Sequence, residues 1–269
     1  MTLIAGLQCA DGMLIASDRE ESGDGPVKSS ARKIFHFAGY QFQLAIATAG
    51  DGCLADKAVR RILACAGAAK FRDHHEQIVE DTLREVYAKY VWPAEERDSD
   101  RQFELIIGIC NVANQQQLLY RSVEEILWPQ TGFAVAGSGE QLATCFLERL
   151  YEDTLTIQEA MRLMGFVCRE TKNATSGCGL ETEMVALATE AGPTRTLAAD
   201  SEHSTPSRIL ERILETSICG RSFQRTRGKS KINPSRWRFE RNDGLAVRSC
   251  SSLEGLFVEN FANRYADRI

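Results

Sequence analysis

The apolar residues of this chain change period several times over its first 200 residues, and the order of those changes limits the folds open to it. Leu3 to Leu7 is a short apolar run, Asp11-Gly12 marks a turn, and a second run follows to Ser17. Val27 to Ala31 reads as a loop, Ile34 to Phe37 as a short strand, and Phe42 to Thr48 as another. Leu54, Ala58, Ile62, Cys65 and Ala69 then recur at helical spacing. A break is expected near Phe71 to Asp73, before a second helix with Val79, Leu83, Val86, Tyr87 and Tyr90 on one face. Pro93 and the charged stretch to Arg101 end it. Strands return in FELIIGICNVA and QQLLYRS, with a polar turn around Asn114, and in FAVAGSG. Gly139 opens a helix with Leu142, Phe146 and Leu150 inward. Thr156, with Glu159 three residues on, is the expected cap of the next. EMVALATEAG closes the series as a strand. Runs segregated in this way predict an α+β chain in layers, with sheets stacked and helices outside.

Composition narrows the class further. A chain of 269 residues, 43% hydrophobic and 26% charged, is long enough for one or two domains and buries a core without metal or disulfide help. Its formal charge of −5 argues against nucleic acid as the main partner. No run approaches the ~18 apolar residues of a membrane span, and the N-terminus, lacking a basic n-region and a long apolar h-region, does not read as a secretory signal. Nine cysteines, an odd number without CxxC spacing, read as free thiols in a reducing cytoplasm. The four histidines show no ligand spacing, so a zinc site is not expected.

The chemistry is concentrated near the N-terminus. Thr2 stands behind Met1, and a residue that small lets methionine aminopeptidase remove the methionine. Thr2 would then carry a hydroxyl and a free α-amine together, a self-contained nucleophile and base. Such an amine titrates near pH 7.7–8.0, and a nearby cation lowers it further. Alone, Thr2 is an ordinary strand residue, Asp18 an ordinary turn acid and Lys33 an ordinary lysine. Together, in TLIAGLQCADGMLIASD and SSARKIFHF, they resemble the start of a proteasome β-type subunit, an N-terminal-nucleophile hydrolase. The resemblance makes Thr2 the nucleophile, Asp18 the buried aspartate and Lys33 the essential lysine, with Gly6, Asp11, Gly12 and Ile34 in register.

Two later motifs extend the resemblance to about residues 2–199. AVAGSGE places Ser138 where a hydroxyl assists the threonine, and KNATSGCG places Asn173 and Ser176 where the family has an aspartate and a serine. Asn173 carries no charge and tunes the amine less than aspartate. AIATAGDG puts Ala47 where a glycine amide usually forms the oxyanion hole, and a shifted register would make the donor Ala49 or Gly50. The resemblance implies a four-layer αββα sandwich and a threonine endopeptidase acting on peptides or unfolded proteins. It also implies a homo-oligomeric ring, with which an ATP-dependent unfoldase is a compatible partner. The alternatives are a non-catalytic structural subunit of such an assembly and a small-molecule amidase of the same superfamily.

The hydrolase domain is expected over residues 1–200 and a C-terminal extension over 201–269. Ser204 to Leu214 reads as one more helix. Arg221, Arg225, Arg227, Lys229, Lys231, Arg236, Arg238 and Arg241 then form a basic block interleaved with Phe223, Trp237 and Phe239. Basic residues with aromatics suit nucleic acid or an acidic partner, whereas a mobile tail or oligomerisation arm is the plainer reading. The family resemblance has no counterpart for this segment.

Overall fold

A computed structural model describes residues 2–22, 28–39, 42–93, 102–175, 178–189 and 195–199. The C-terminal extension and Ser176 lie outside the described residues. β1 (Ile4–Cys9) and β2 (Gly12–Asp18) form the expected hairpin. β3 (Glu20–Ser22) pairs with β4 (Lys28–Ser30), so part of the expected loop at 27–31 is a strand of a two-stranded ribbon. β5 (Ile34–Ala38) and β6 (Phe42–Gly50) lead into α1 (Gly52–Ala66) and α2 (Ala69–Val86). The chain leaves the helix at Gly67–Ala68, earlier than expected, because Phe71 is fully buried within α2. The irregularity near Asp73 is instead a kink inside α2, where His74 has non-helical φ −134 and ψ 30. A π-helical turn, Tyr87–Val91, ends this arm.

β7 (Phe103–Asn111), β8 (Gln116–Val123), β9 (Ile126–Gln130) and β10 (Phe133–Ala136) follow. They precede α3 (Glu140–Leu150), α4 (Ile157–Ala174), β11 (Thr182–Ala188) and β12 (Arg195–Ala199). The sequence pattern had not predicted β9. It contains Pro129 and sits at a sheet edge, where a strand tolerates the missing N–H. The Thr156–Glu159 capping box forms as expected, with Thr156 Oγ1 accepting from Glu159 N–H and Glu159 Oε2 from Thr156 N–H.

Two antiparallel five-stranded sheets, β10-β1-β2-β11-β12 and β5-β6-β7-β8-β9, stack with α3 and α4 outside the first and α1 and α2 outside the second. This is the four-layer αββα arrangement. β6 and β7 are buried on both faces, which is why residues 44–47 and 105–110 read as unbroken apolar runs. Leu44, Ile46, Leu105 and Ile107 pack under α1 and α2, whereas Ala45, Ala47, Ala49 and Ile106 face the other sheet. Small alanines on that inner face let the two sheets approach closely. Among the described residues no helix is long and apolar enough to cross a membrane.

Candidate active site

The two sheets open at one end of the sandwich, and Thr2, Asp18 and Lys33 meet there. Thr2 precedes β1 and is 5% exposed, Asp18 ends β2 at 0%, and Lys33 precedes β5 at 7%. Strand pairing does the positioning, since β1 and β2 share the hairpin that brings Leu3 beside Asp18. Leu3 N–H donates to Asp18 Oδ1 at 2.9 Å, and Asp18 N–H donates to Leu3 O at 3.1 Å. Lys33 comes from the opposite sheet. Its ammonium donates to Asp18 Oδ1 at 2.9 Å, to Thr2 Oγ1 and to the Glu20 carbonyl. All three of its protons are therefore used, and one of them is on the threonine hydroxyl oxygen.

Asp18 is held as firmly. Besides Leu3 N–H and the lysine, its Oδ2 accepts from Gly179 N–H at 3.2 Å and Glu20 N–H at 3.3 Å. A buried ion pair adds little net stability compared with apolar packing. Its place beside a threonine hydroxyl at the mouth of a cleft is better accounted for by chemistry than by folding.

Ser138 approaches from the β10–α3 turn. Its Oγ accepts from Thr2 N–H at 2.9 Å and donates to Thr2 O at 3.2 Å. Gly137 beside it has φ +94, and a Cβ there would lie 2.3 Å from Thr2 O, so the turn's close approach needs glycine. Asn173 does not join the group. It is exposed on α4, because the residues facing the core in that last turn are Glu170 and Thr171. The contact that this part of the chain makes with Ser138 is through Cys178, whose Sγ lies 3.7 Å from Ser138 Oγ. Sequence reasoning missed it, since a cysteine carries no spacing signal of its own. Burial pushes the Cys178 thiol up from its ordinary value, which keeps it protonated and a poor rival nucleophile.

Ala47, the position expected to supply the oxyanion-hole amide, is not among the residues that line the cleft. It is wholly buried at the centre of β6, paired with Ile34 on one side and Ile106 on the other. The cleft instead meets this strand at Thr48, Ala49 and Gly50. Thr48 N–H donates to Lys33 O at 3.0 Å, and the alternation of strand amides turns the Gly50 N–H to the same side. Gly50 has φ +91, and a Cβ there would lie 2.2 Å from Gln102 O. The cleft has a volume of about 810 Å³ and runs from Thr2 and Ser138 past Lys33 to Gly50 and the start of α1. Among the described residues no group of His, Cys, Asp and Glu is placed to hold a metal.

Comparison with known proteins agrees with this fold. The family model for the proteasome subunit matches residues 2–186. The fold is similar to that of Anbu (ancestral beta-subunit) from Yersinia bercovieri, at 13% identity and a TM-score of 0.63, covering 84% of this chain and all of that one. Anbu from Hyphomicrobium sp. strain MC1 is similar at 15% identity and a TM-score of 0.63, covering 83% of this chain and 100% of that one. The Anbu complex from Pseudomonas aeruginosa, a helical assembly, is similar at 16% identity and a TM-score of 0.62, covering 81% and 94%. No curated protein matches the sequence.

Proposed function

The chain belongs to the proteasome subunit family, and from that premise we propose that it is a threonine peptidase with Thr2 as nucleophile. The observation that carries the reading is the Lys33 ammonium bonded at once to Thr2 Oγ1 and to buried Asp18. Removal of Met1 frees the Thr2 amine. Thr2 Oγ then attacks the carbonyl carbon of a peptide bond, and its proton passes through water to that amine. The Lys33 charge favours the neutral amine and stabilises the developing alkoxide, and Asp18 fixes the lysine. Ser138 orients the amine, and the Gly50 N–H donates to the oxyanion that forms on the carbonyl oxygen.

Collapse of the tetrahedral intermediate breaks the C–N bond. The amine product leaves with the proton, and an ester remains on Thr2 Oγ. Water hydrolyses that ester, releasing the acid and restoring the hydroxyl. No step needs a metal or an organic cofactor. The Pseudomonas relative forms a helical assembly, and we extend to this chain a homo-oligomer in which the cleft is enclosed and peptides or unfolded segments are the substrates.

Intact mass of the purified protein and peptide hydrolysis by variants test the reading. The expected result is loss of Met1, no turnover by Thr2→Ala with the fold retained, and partial turnover by Thr2→Ser, which keeps both groups. An active Thr2→Ala variant, or a mature chain that keeps Met1, sinks it. A correctly processed and assembled wild type without turnover would instead be a non-catalytic subunit.

A further inference from the structure

The segment that leads from α4 into β11 touches the site at two points, and one lysine holds it there. Cys178 Sγ lies against Ser138 Oγ, and Gly179 N–H donates to Asp18 Oδ2 at 3.2 Å. Next along the chain, Leu180 has φ +56, the left-handed region, which is strained for a residue with a Cβ. Its side chain is 48% exposed, so apolar burial does little to offset that strain. What fixes its backbone is Lys172, in the last turn of α4, whose Nζ donates to Leu180 O at 2.6 Å and to Thr182 Oγ1 at 2.7 Å. Two bonds from one ammonium therefore tie the strained residue to the start of β11. Arg19 N–H, bonded to Glu181 O at 3.0 Å, closes the far side.

We infer that Lys172 is a positioning residue for the proposed threonine-peptidase reaction, clamping residues 178–181 so that Gly179 N–H and Cys178 stay on Asp18 and Ser138. The inference rests on the function proposed above. Lys172 touches neither Thr2 nor Lys33 and acts through the segment it holds. Without it, Leu180 O loses its donor, the left-handed turn relaxes, and Asp18 loses one of the two N–H groups on Oδ2. Asp18 then holds Lys33 less firmly beside the Thr2 amine.

The test compares Lys172→Met, Lys172→Arg and the double variant Lys172→Met/Leu180→Gly on a fluorogenic peptide. Lys172→Met is expected to lower kcat about tenfold to a hundredfold, the scale of a small displacement of catalytic groups, with KM nearly unchanged. The acidic limb of its pH–rate profile should move to higher pH, because Lys33 no longer favours the neutral amine as strongly. Lys172→Arg should retain most of the activity. The double variant should recover part of kcat, since glycine takes positive φ without the clamp. An unimpaired Lys172→Met with an unmoved pH limb, or a double variant no better than the single one, overturns the inference. If Lys172→Met does not fold, Lys172→Gln, which keeps one donor, is read by the same criteria. A wild type freed of Met1 that hydrolyses no peptide overturns the peptidase reading instead. Hydrogen exchange at the Gly179 amide, protected in wild type and open in the variant, then still decides the clamp.

Discussion

Replacing Lys33 by methionine keeps most of the side-chain volume and removes the charge, so it isolates what the ammonium contributes. At 2.9 Å from Asp18 Oδ1, the attraction is ~6 kcal/mol at an effective dielectric of about 20. The measurable loss is smaller, because Asp18 keeps the N–H donors of Leu3, Glu20 and Gly179. Breaking a buried pair from one side costs roughly 3–5 kcal/mol, and the surviving donors put this one near the lower end. With about 1–3 kcal/mol per molar in urea, the unfolding midpoint should fall by roughly 1–3 M. Turnover should fall further than that instability explains in the protein that remains folded. Removing one preorganised group from a developing charge costs about 10²–10³-fold in rate. Urea unfolding followed by near-ultraviolet circular dichroism, with single-turnover acylation of the folded variant, measures the two separately. Wild-type stability together with wild-type acylation would show that Lys33 is an ordinary buried lysine, and the site reading would fail.

Three further outcomes follow from the same geometry. Gly50→Ala must place a Cβ 2.2 Å from Gln102 O at positive φ, so it should lose about 1–3 kcal/mol by urea unfolding and turn over more slowly. His36 is held below its ordinary value of 6.5, first by burial and then by Arg32, with Glu183 opposing. As pH falls through about 6.5 the unfolded chain takes up that proton before the folded one, so this contribution is complete above that pH and lost below it. His36→Gln should flatten the acid side of a stability-against-pH curve, and an unchanged curve counts against the assignment. Truncation after Asp200 keeps every strand and helix described, which end at Ala199, and should give a soluble, folded domain by circular dichroism. An insoluble product would mean that the domain boundary is wrong.

The β1–β2 hairpin, the Thr156–Glu159 box and the helical faces of α1 to α4 were legible in the sequence. Each is set within a few residues, by an Asp-Gly turn, a cap or a 3.6-residue period, and such signals survive in any tertiary context. The company of Thr2, Asp18 and Lys33 was legible for a different reason: their motif resembles a known family, though nothing local says that they touch. The hairpin sets Thr2 near Asp18, but the arrival of Lys33 needed the two sheets to stack. Which residues of β6 line the cleft was also decided only there. β6 is apolar on both faces, so its pattern has no phase, and only pairing with β5 and β7 buries Ala47 and leaves Gly50 lining the opening. The outward turn of Asn173, the reach of Lys172 to Leu180 and the contact of Cys178 with Ser138 depend on how the end of α4 meets β11. Contacts between residues far apart in the chain have no period to be read from, and packing alone sets them.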